Sequence, residues 1–173
     1  EGQLLLRALV ELEIRAKESE RALAALERLD PDSLANLRFS LDSYQRLNRP
    51  DRGLALLRSV TERHPAAPAP RLLLAQWLLA SNEIEQARQA FEPLRQRHPE
   101  QIEVLLFEGE LARRQGKPEL AVAAYQRAYK KQPGASLARA LAQAQLQQGQ
   151  PRAALATLEG WNRQAPNDLE ALY

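Results

Sequence analysis

The chain has 173 residues with 24 Lys and Arg against 22 Asp and Glu, a net charge of +2, which is too even a balance to mark a nucleic-acid binder. It contains no cysteine, so disulfides, thiolate metal sites and thiol catalysis are excluded. Alanine, leucine, glutamine and arginine dominate, a helix-forming composition poor in the β-branched and aromatic residues that strands prefer.

No apolar run approaches the ~20 residues of a bilayer span, since Arg7 already interrupts Leu4 to Val10, and no signal peptide is legible. The chain starts at Glu1 and lacks methionine, which raises the expectation of a segment excised from a longer chain. Arginine outnumbers lysine 20 to 4, a bias that points to a GC-rich, bacterial genome.

Pro31, Pro65, Pro99 and Pro133 stand 34 residues apart, and Pro166 follows after 33. A period in this range marks a stacked repeat protein, in which each unit contacts only its neighbours. Residues 1–30 keep an apolar helix through Ala22, Leu23, Leu26 and Leu29 before Pro31 but lack a clear turn. They form either a degenerate hairpin with a shifted turn, with Ser19 as N-cap, or one long helix over 3–29; the hairpin is preferred. Beyond them, Asn48, Asn82, Gly116 and Gly149 share one column. These residues tolerate the left-handed backbone required just past a helix C-terminus.

Two positions later come Pro50, Ile84, Pro118 and Pro151, with proline suited to a first helical position because its missing N–H would be unpaired there. The spacing predicts first helices near 34–47, 70–81, 102–115 and 135–148. Second helices are predicted near 50–63, 84–97, 118–131 and 151–164. Asn167 to Glu170 resembles a capping box that opens a further helix, as in an array continuing past Tyr173.

The packing columns repeat with the prolines. Gly53, Ala87, Ala121 and Ala154 put a small residue where two helices approach closely. Leu57, Phe91, Tyr125 and Leu158 lie one turn later on the same face, continued by Val60, Leu94, Ala128 and Trp161. In the first helices, Ala75, Gly109 and Ala142 provide small residues in one register.

No catalytic constellation is present: no nucleophile-elbow serine, no phosphate-cradling glycine loop and no His-Glu-x-x-His. The chain is read as having no enzyme activity and no cofactor. His64 and His98 share a column before the closing proline, where histidine complements the helix dipole. Stacked repeats hold equivalent residues about 10 Å apart, too far for one zinc at ~2 Å per bond, so no metal is expected. Arg113, Arg114, Lys117, Lys130 and Lys131 form the densest basic spots, yet they do not recur in a column as a base-reading code requires; no nucleic acid is expected. Pro93 falls inside a predicted second helix, where it removes one backbone bond and clashes with the Gln89 carbonyl.

The columns over 34–166 resemble the tetratricopeptide repeat (TPR) family, most specifically in Gly109, Gly116, Ala121, Tyr125, Ala128 and Pro133. The repeat ending at Pro65 departs from that pattern at Leu41 and Gly53, and the large aromatic that usually opens the first helix is absent. The resemblance implies an all-α, right-handed superhelical solenoid of stacked antiparallel hairpins over 1–173. Its divisions are a degenerate N-terminal unit 1–33, full repeats 34–67, 68–101, 102–134 and 135–167, and the start of a further helix at 168–173.

The resemblance also implies a concave groove lined by first helices, where a protein partner would meet Arg38, Asp42, Gln45, Leu72, Gln76, Leu79, Leu106, Glu110, Arg113, Arg139, Gln143 and Leu146. Some TPR proteins clamp a peptide carboxylate with lysine and asparagine; Arg38/Asp42, Leu72/Gln76, Leu106/Glu110 and Arg139/Gln143 do not supply that clamp. The mixture of amides, leucines and both charge signs suits an extended or helical protein segment.

The expected function is a non-enzymatic scaffold within a multiprotein assembly. A looser resemblance leads to TPR arrays of Gram-negative envelope machines such as those of exopolysaccharide secretion, and hence to the periplasm or cell envelope. The alternative is a regulatory or substrate-presenting domain of an enzyme whose catalytic part lies outside this segment.

Overall fold

The computed structural model describes residues 2–164, and among them it has ten α-helices and no strand. They are α1 Gly2–Arg15, α2 Ser19–Leu26, α3 Leu34–Arg46, α4 Pro50–Arg63, α5 Pro68–Ala80, α6 Ile84–Arg97, α7 Ile102–Arg114, α8 Pro118–Lys131, α9 Ala135–Gln147 and α10 Pro151–Gln164. The eight helices expected beyond residue 33 appear within one or two residues of their predicted bounds. Pro166, the Asn167–Glu170 capping signal and Tyr173 lie outside the described residues. The chain divides into two compact units, Glu1–Leu78 and Leu79–Tyr173, with the division inside α5.

The hairpin turns share one backbone solution. A residue at positive φ follows each first helix: Lys17 (62°), Asn48 (55°), Asn82 (63°), Gly116 (68°) and Gly149 (75°). After α7 the Gly116 N–H donates to the Arg113 carbonyl at 3.1 Å and the Lys117 N–H to that of Ala112 at 2.9 Å. This Schellman pairing satisfies carbonyls that the helix end leaves unpaired, and it recurs after α1, α3 and α9. Two residues past the positive φ, the next helix begins with Ser19, Pro50, Ile84, Pro118 or Pro151.

Residues 1–30 are therefore a hairpin. Ser19 is not its N-cap, however. Glu18 holds that position without a side-chain cap bond and Ser19 is the first helical residue, because the Lys17 turn sets the helix start by backbone geometry. The α5 helix opens two residues early, at Pro68. Pro68 and Pro70 both fall in its first turn, where no N–H has an intrahelical partner.

In the first unit, Val10, Leu23, Leu26, Leu29 and Tyr44 form a buried cluster with Leu6, Ile14, Phe39, Leu47 and Leu56 packed around it. Each fully buried leucine contributes about 1.5–3 kcal/mol. Gly53 of α4 lies under the Trp77 indole of α5; a Cβ there would fall 2.7 Å from Trp77 Cη2.

The second unit repeats the device. Gly109 of α7 lies under the Tyr125 ring of α8, and a Cβ would fall 2.7 Å from its Cδ1 and Cζ. Leu105, Ala121, Val122, Tyr125, Ala128, Leu137, Leu141 and Ala144 make one core through α7, α8 and α9. Phe91 of α6 meets Phe107 of α7 with ring centroids 4.7 Å apart and planes tilted by 52°, a favoured aromatic arrangement. The small column is buried throughout, at Gly53, Ala87, Ala121 and Ala154. The α6 helix runs through Pro93 without ending.

Candidate partner-binding faces

In the first unit, α3 presents Arg38, Asp42 and Gln45 to solvent. One helical turn separates Asp42 from Arg46, whose guanidinium meets it at 3.6 Å. Arg46 also forks onto Glu11 of α1, with Nη1–Oε1 at 2.6 Å and Nη2–Oε2 at 3.1 Å. That hydrogen bond holds the Glu11 carboxyl below its ordinary pKa. On α5, Gln76 is exposed and Leu72 half-buried.

Leu79, expected on the same face, is only 4 % exposed. The α5 helix is apolar on nearly every side, with Leu72, Leu73, Leu74, Trp77, Leu78 and Leu79, and such a helix is enclosed rather than displayed. Leu79 belongs to the packing.

In the second unit, Leu106 of α7 and Arg139, Gln143 and Leu146 of α9 reach solvent, Leu146 by 56 %. Glu110 and Arg113 are half-buried and engaged. Arg113 donates to Glu110 from Nε at 2.8 Å and Nη2 at 2.6 Å, Arg114 Nε donates at 3.2 Å, and the Tyr125 hydroxyl lies 3.5 Å from Glu110 Oε2. Burial draws the Glu110 carboxyl upward, but hydrogen bonds and charge from both arginines outweigh it and hold the group below its usual range. Burial, reinforced by the Glu110 charge, pushes the Tyr125 phenol up to about 12. Glu110 thus reaches Tyr125 of α8 as well as pairing along α7 with Arg113 and Arg114. Beside Leu106 an open notch of ≈ 300 Å³ is bounded by Ile102, Pro133, Ala135, Leu137 and Trp161.

A second cleft, of ≈ 380 Å³, lies among α6, α7 and α8, where the repeat columns predict no opening. Phe91, Leu111, Ala112 and Leu120 contribute apolar surface, while Arg88, Glu92, Arg95, Glu108 and Arg127 ring it. The charges are paired: Arg88 with Glu85 at 2.6 Å, Arg95 with Glu92 at 2.8 Å, and Arg127 with Glu100 and Glu108. The sequence signal for this cleft is Arg88 itself, which occupies the column of Leu54, Val122 and Leu155. In α8 the same column holds Val122, which is buried. His64 and His98 are the C-cap residues of α4 and α6, and His64 Nε2 lies 3.1 Å from Asp32.

Tetratricopeptide repeat models match residues 41–102, 72–136 and 112–173. The chain belongs to the tetratricopeptide repeat family. Solved structures show the same fold. A thermophilic TPR protein from Thermus thermophilus is 20% identical with a TM-score of 0.72, covering 98% of this chain and 95% of its own. MamA from residue 41 to its end, from Desulfovibrio magneticus, is 16% identical with a TM-score of 0.71, covering 97% and 98%. No curated protein matches the sequence.

The fold class is thus the all-α TPR-like solenoid expected from the prolines. TPR proteins are generally non-catalytic scaffolds for protein interaction. The faces described above fit that use, since they combine exposed leucines, amides and paired charges. Among the described residues no group of three or more His, Cys, Asp or Glu could hold a metal ion, and no helix is long and apolar enough to cross a membrane.

Proposed function

We propose that this TPR protein is a non-enzymatic scaffold that holds a segment of a protein partner against the first-helix face of α7 and α9. The observation that carries this reading is the apolar notch beside Leu106, with Arg139, Gln143 and Leu146 reaching solvent on α9. An apolar side chain of the partner seats in the notch while its backbone meets the Gln143 amide. Recognition of this kind relies on a few anchored side chains surrounded by polar contacts. The α3 and α5 residues Arg38, Asp42, Gln45, Leu72 and Gln76 offer a similar polar face in the first unit.

The assembly served is proposed to be a bacterial envelope machine of the exopolysaccharide-secretion kind, with this segment as part of a longer repeat array in the periplasm or envelope. The support for this context is compositional: repeats rich in Ala, Leu, Gln and Arg, and the looser resemblance to such arrays.

The test is capture of partners from the source organism by the 173-residue chain and by a Leu106→Asp, Gln143→Ala, Leu146→Asp variant. These positions reach solvent, so the variant keeps its thermal midpoint; exposed substitutions shift stability by about 0.5 kcal/mol or less. Loss of a captured partner by the variant supports the face. Equal capture by both chains removes it as the binding site.

A further inference from the structure

The cleft among α6, α7 and α8 shares none of its lining with the face proposed above: neither Leu106 nor Arg139, Gln143 or Leu146 borders it. Its walls are regular. Arg88, Phe91, Glu92 and Arg95 of α6 stand at i, i+3, i+4 and i+7, and the same spacing recurs from Glu108 to Gln115 of α7 and from Leu120 to Arg127 of α8. Such a set is one face of a helix over two turns, about 10 Å of rise, so three helix faces enclose one space of ≈ 380 Å³. The lining runs from Arg88 to Arg127, and α9 and α10 follow it within the same unit.

Two columns are inverted there. Glu108, with its side chain 26 % exposed, stands where α3, α5 and α9 carry the buried Ser40, Leu74 and Leu141. Leu120, 57 % exposed, stands where α2, α4 and α6 carry Arg21, Arg52 and Gln86 and α10 carries Ala153. One exposed leucine on a surface needs no explanation. This one borders a cleft whose other apolar walls, Phe91, Leu111 and Ala112, are buried.

The charges around the cleft differ in what they have left to offer. Glu85 accepts from Arg88 Nε and Nη2 and from the Gln89 amide. Glu92 accepts from Arg95 Nε and Nη2 and from the Gln96 amide. Both carboxylates are therefore well supplied with donors. A guanidinium has five N–H donors, and the Nη1 groups of Arg88 and Arg95 take no part in these pairs. Arg127 brings a third guanidinium to a lining that holds only two carboxylates, Glu92 and Glu108. Acceptors are taken and donors remain, so the ring favours a ligand that brings negatively charged acceptors. Exposed ion pairs of this kind are weak, and a guanidinium can turn toward a second carboxylate at little cost.

We infer that this cleft binds an acidic segment of a protein partner, an apolar side chain seating against Leu120 and Leu111 while flanking carboxylates meet Arg88 and Arg95. An apolar anchor enclosed by a polar ring is the arrangement in which binding energy concentrates.

The test begins with selection of short random peptides, displayed on phage, against the 173-residue chain. The expected consensus is an aliphatic or aromatic residue with Asp or Glu on both sides. A labelled synthetic peptide of that consensus, followed by fluorescence anisotropy, then reports on variants. Leu120→Ser and a double Arg88→Gln, Arg95→Gln variant each weaken it at least about tenfold, and added salt weakens its binding to the wild-type chain. These side chains are exposed, so the variants keep their thermal midpoint. A charge swap guards against loss of fold: an Arg88→Glu, Arg95→Glu variant prefers the same peptide with lysine in place of its acidic residues. The Leu106→Asp, Gln143→Ala, Leu146→Asp variant binds the acidic peptide as the wild type does, which separates this site from the α7–α9 face. A selection without an acidic consensus overturns the inference. So does a peptide whose affinity the cleft variants leave unchanged, a charge swap that restores nothing, or a peptide that only the Leu106 variant loses.

Discussion

Replacing Gly109 with alanine sets two terms against each other. Alanine in a helix interior is favoured over glycine by about 0.8–1.0 kcal/mol. At Gly109, however, the new Cβ falls 2.7 Å from Tyr125 Cδ1 and Cζ, well inside van der Waals contact. The ring has little room to retreat: Tyr125 is 4 % exposed, belongs to the core through α7, α8 and α9, and keeps its hydroxyl near Glu110. Overpacking of this kind costs about 1–3 kcal/mol, so the net effect is a loss of roughly 1 kcal/mol. In a unit of this size that lowers the midpoint by roughly 4–8 °C.

Gly160 provides the control. It lies within α10, and a Cβ there meets nothing within 4 Å, so Gly160→Ala keeps the propensity gain and stabilises. Thermal and urea unfolding followed by circular dichroism in the helical band should therefore separate the two variants by about 2 kcal/mol in opposite directions. If Gly109→Ala stabilises as Gly160→Ala does, close approach of α7 and α8 does not constrain that position, and the account of the small-residue column is wrong.

Three further outcomes follow from the same structure. Lys17 occupies the left-handed backbone region, which costs a side-chain-bearing residue roughly 1–2 kcal/mol, and glycine gives back about 0.5–1 kcal/mol in chain entropy; Lys17→Gly should raise the urea midpoint, and an unchanged or lower midpoint contradicts the strain. Pro93→Ala should stabilise α6 by up to ~3 kcal/mol, the interior proline penalty, and a lower melting temperature would show that the packing around α6 depends on the proline. The Glu11 and Glu110 carboxyls have folded-state pKa values below their unfolded ones, through Arg46 and through Arg113 with Arg114. Their contribution is complete above the unfolded carboxylate value, about pH 4.5, and is lost as pH falls through the folded values. Arg46→Gln should flatten that acid limb of a melting-temperature profile, whereas an unaltered limb would place the acid sensitivity elsewhere.

The fold was legible because its punctuation is local. Pro50, Pro118 and Pro151 restrict helix starts by their own ring geometry, and Asn48, Gly116 and Gly149 end helices by tolerating positive φ. The turn at Lys17 was harder to see because nothing in lysine favours the left-handed region; there the flanking α1 and α2 packing imposes the conformation. Ser19 resembles a cap by residue type, yet the Schellman pairing at Lys17 and Glu18 determines where α2 begins. Side-chain preference yields to backbone geometry when the two point to positions one residue apart.

Surfaces were less legible than helices, for a reason that Leu79 and Leu5 illustrate from opposite sides. A repeat alignment places a residue in a column, but exposure depends on what packs against that column. Leu79 shares its column with exposed Gln45 and Leu146, and it is buried because α5 is apolar around nearly its whole circumference. Leu5 shares its column with buried Asn36 and Leu137, and it is exposed because no described hairpin lies against that side of α1. Arg88 is the intermediate case: it lines the cleft among α6, α7 and α8, in a column whose α8 member, Val122, is buried. In a chain whose units stabilise one another by nearest-neighbour contact, a departure from the column marks where a partner can be accommodated.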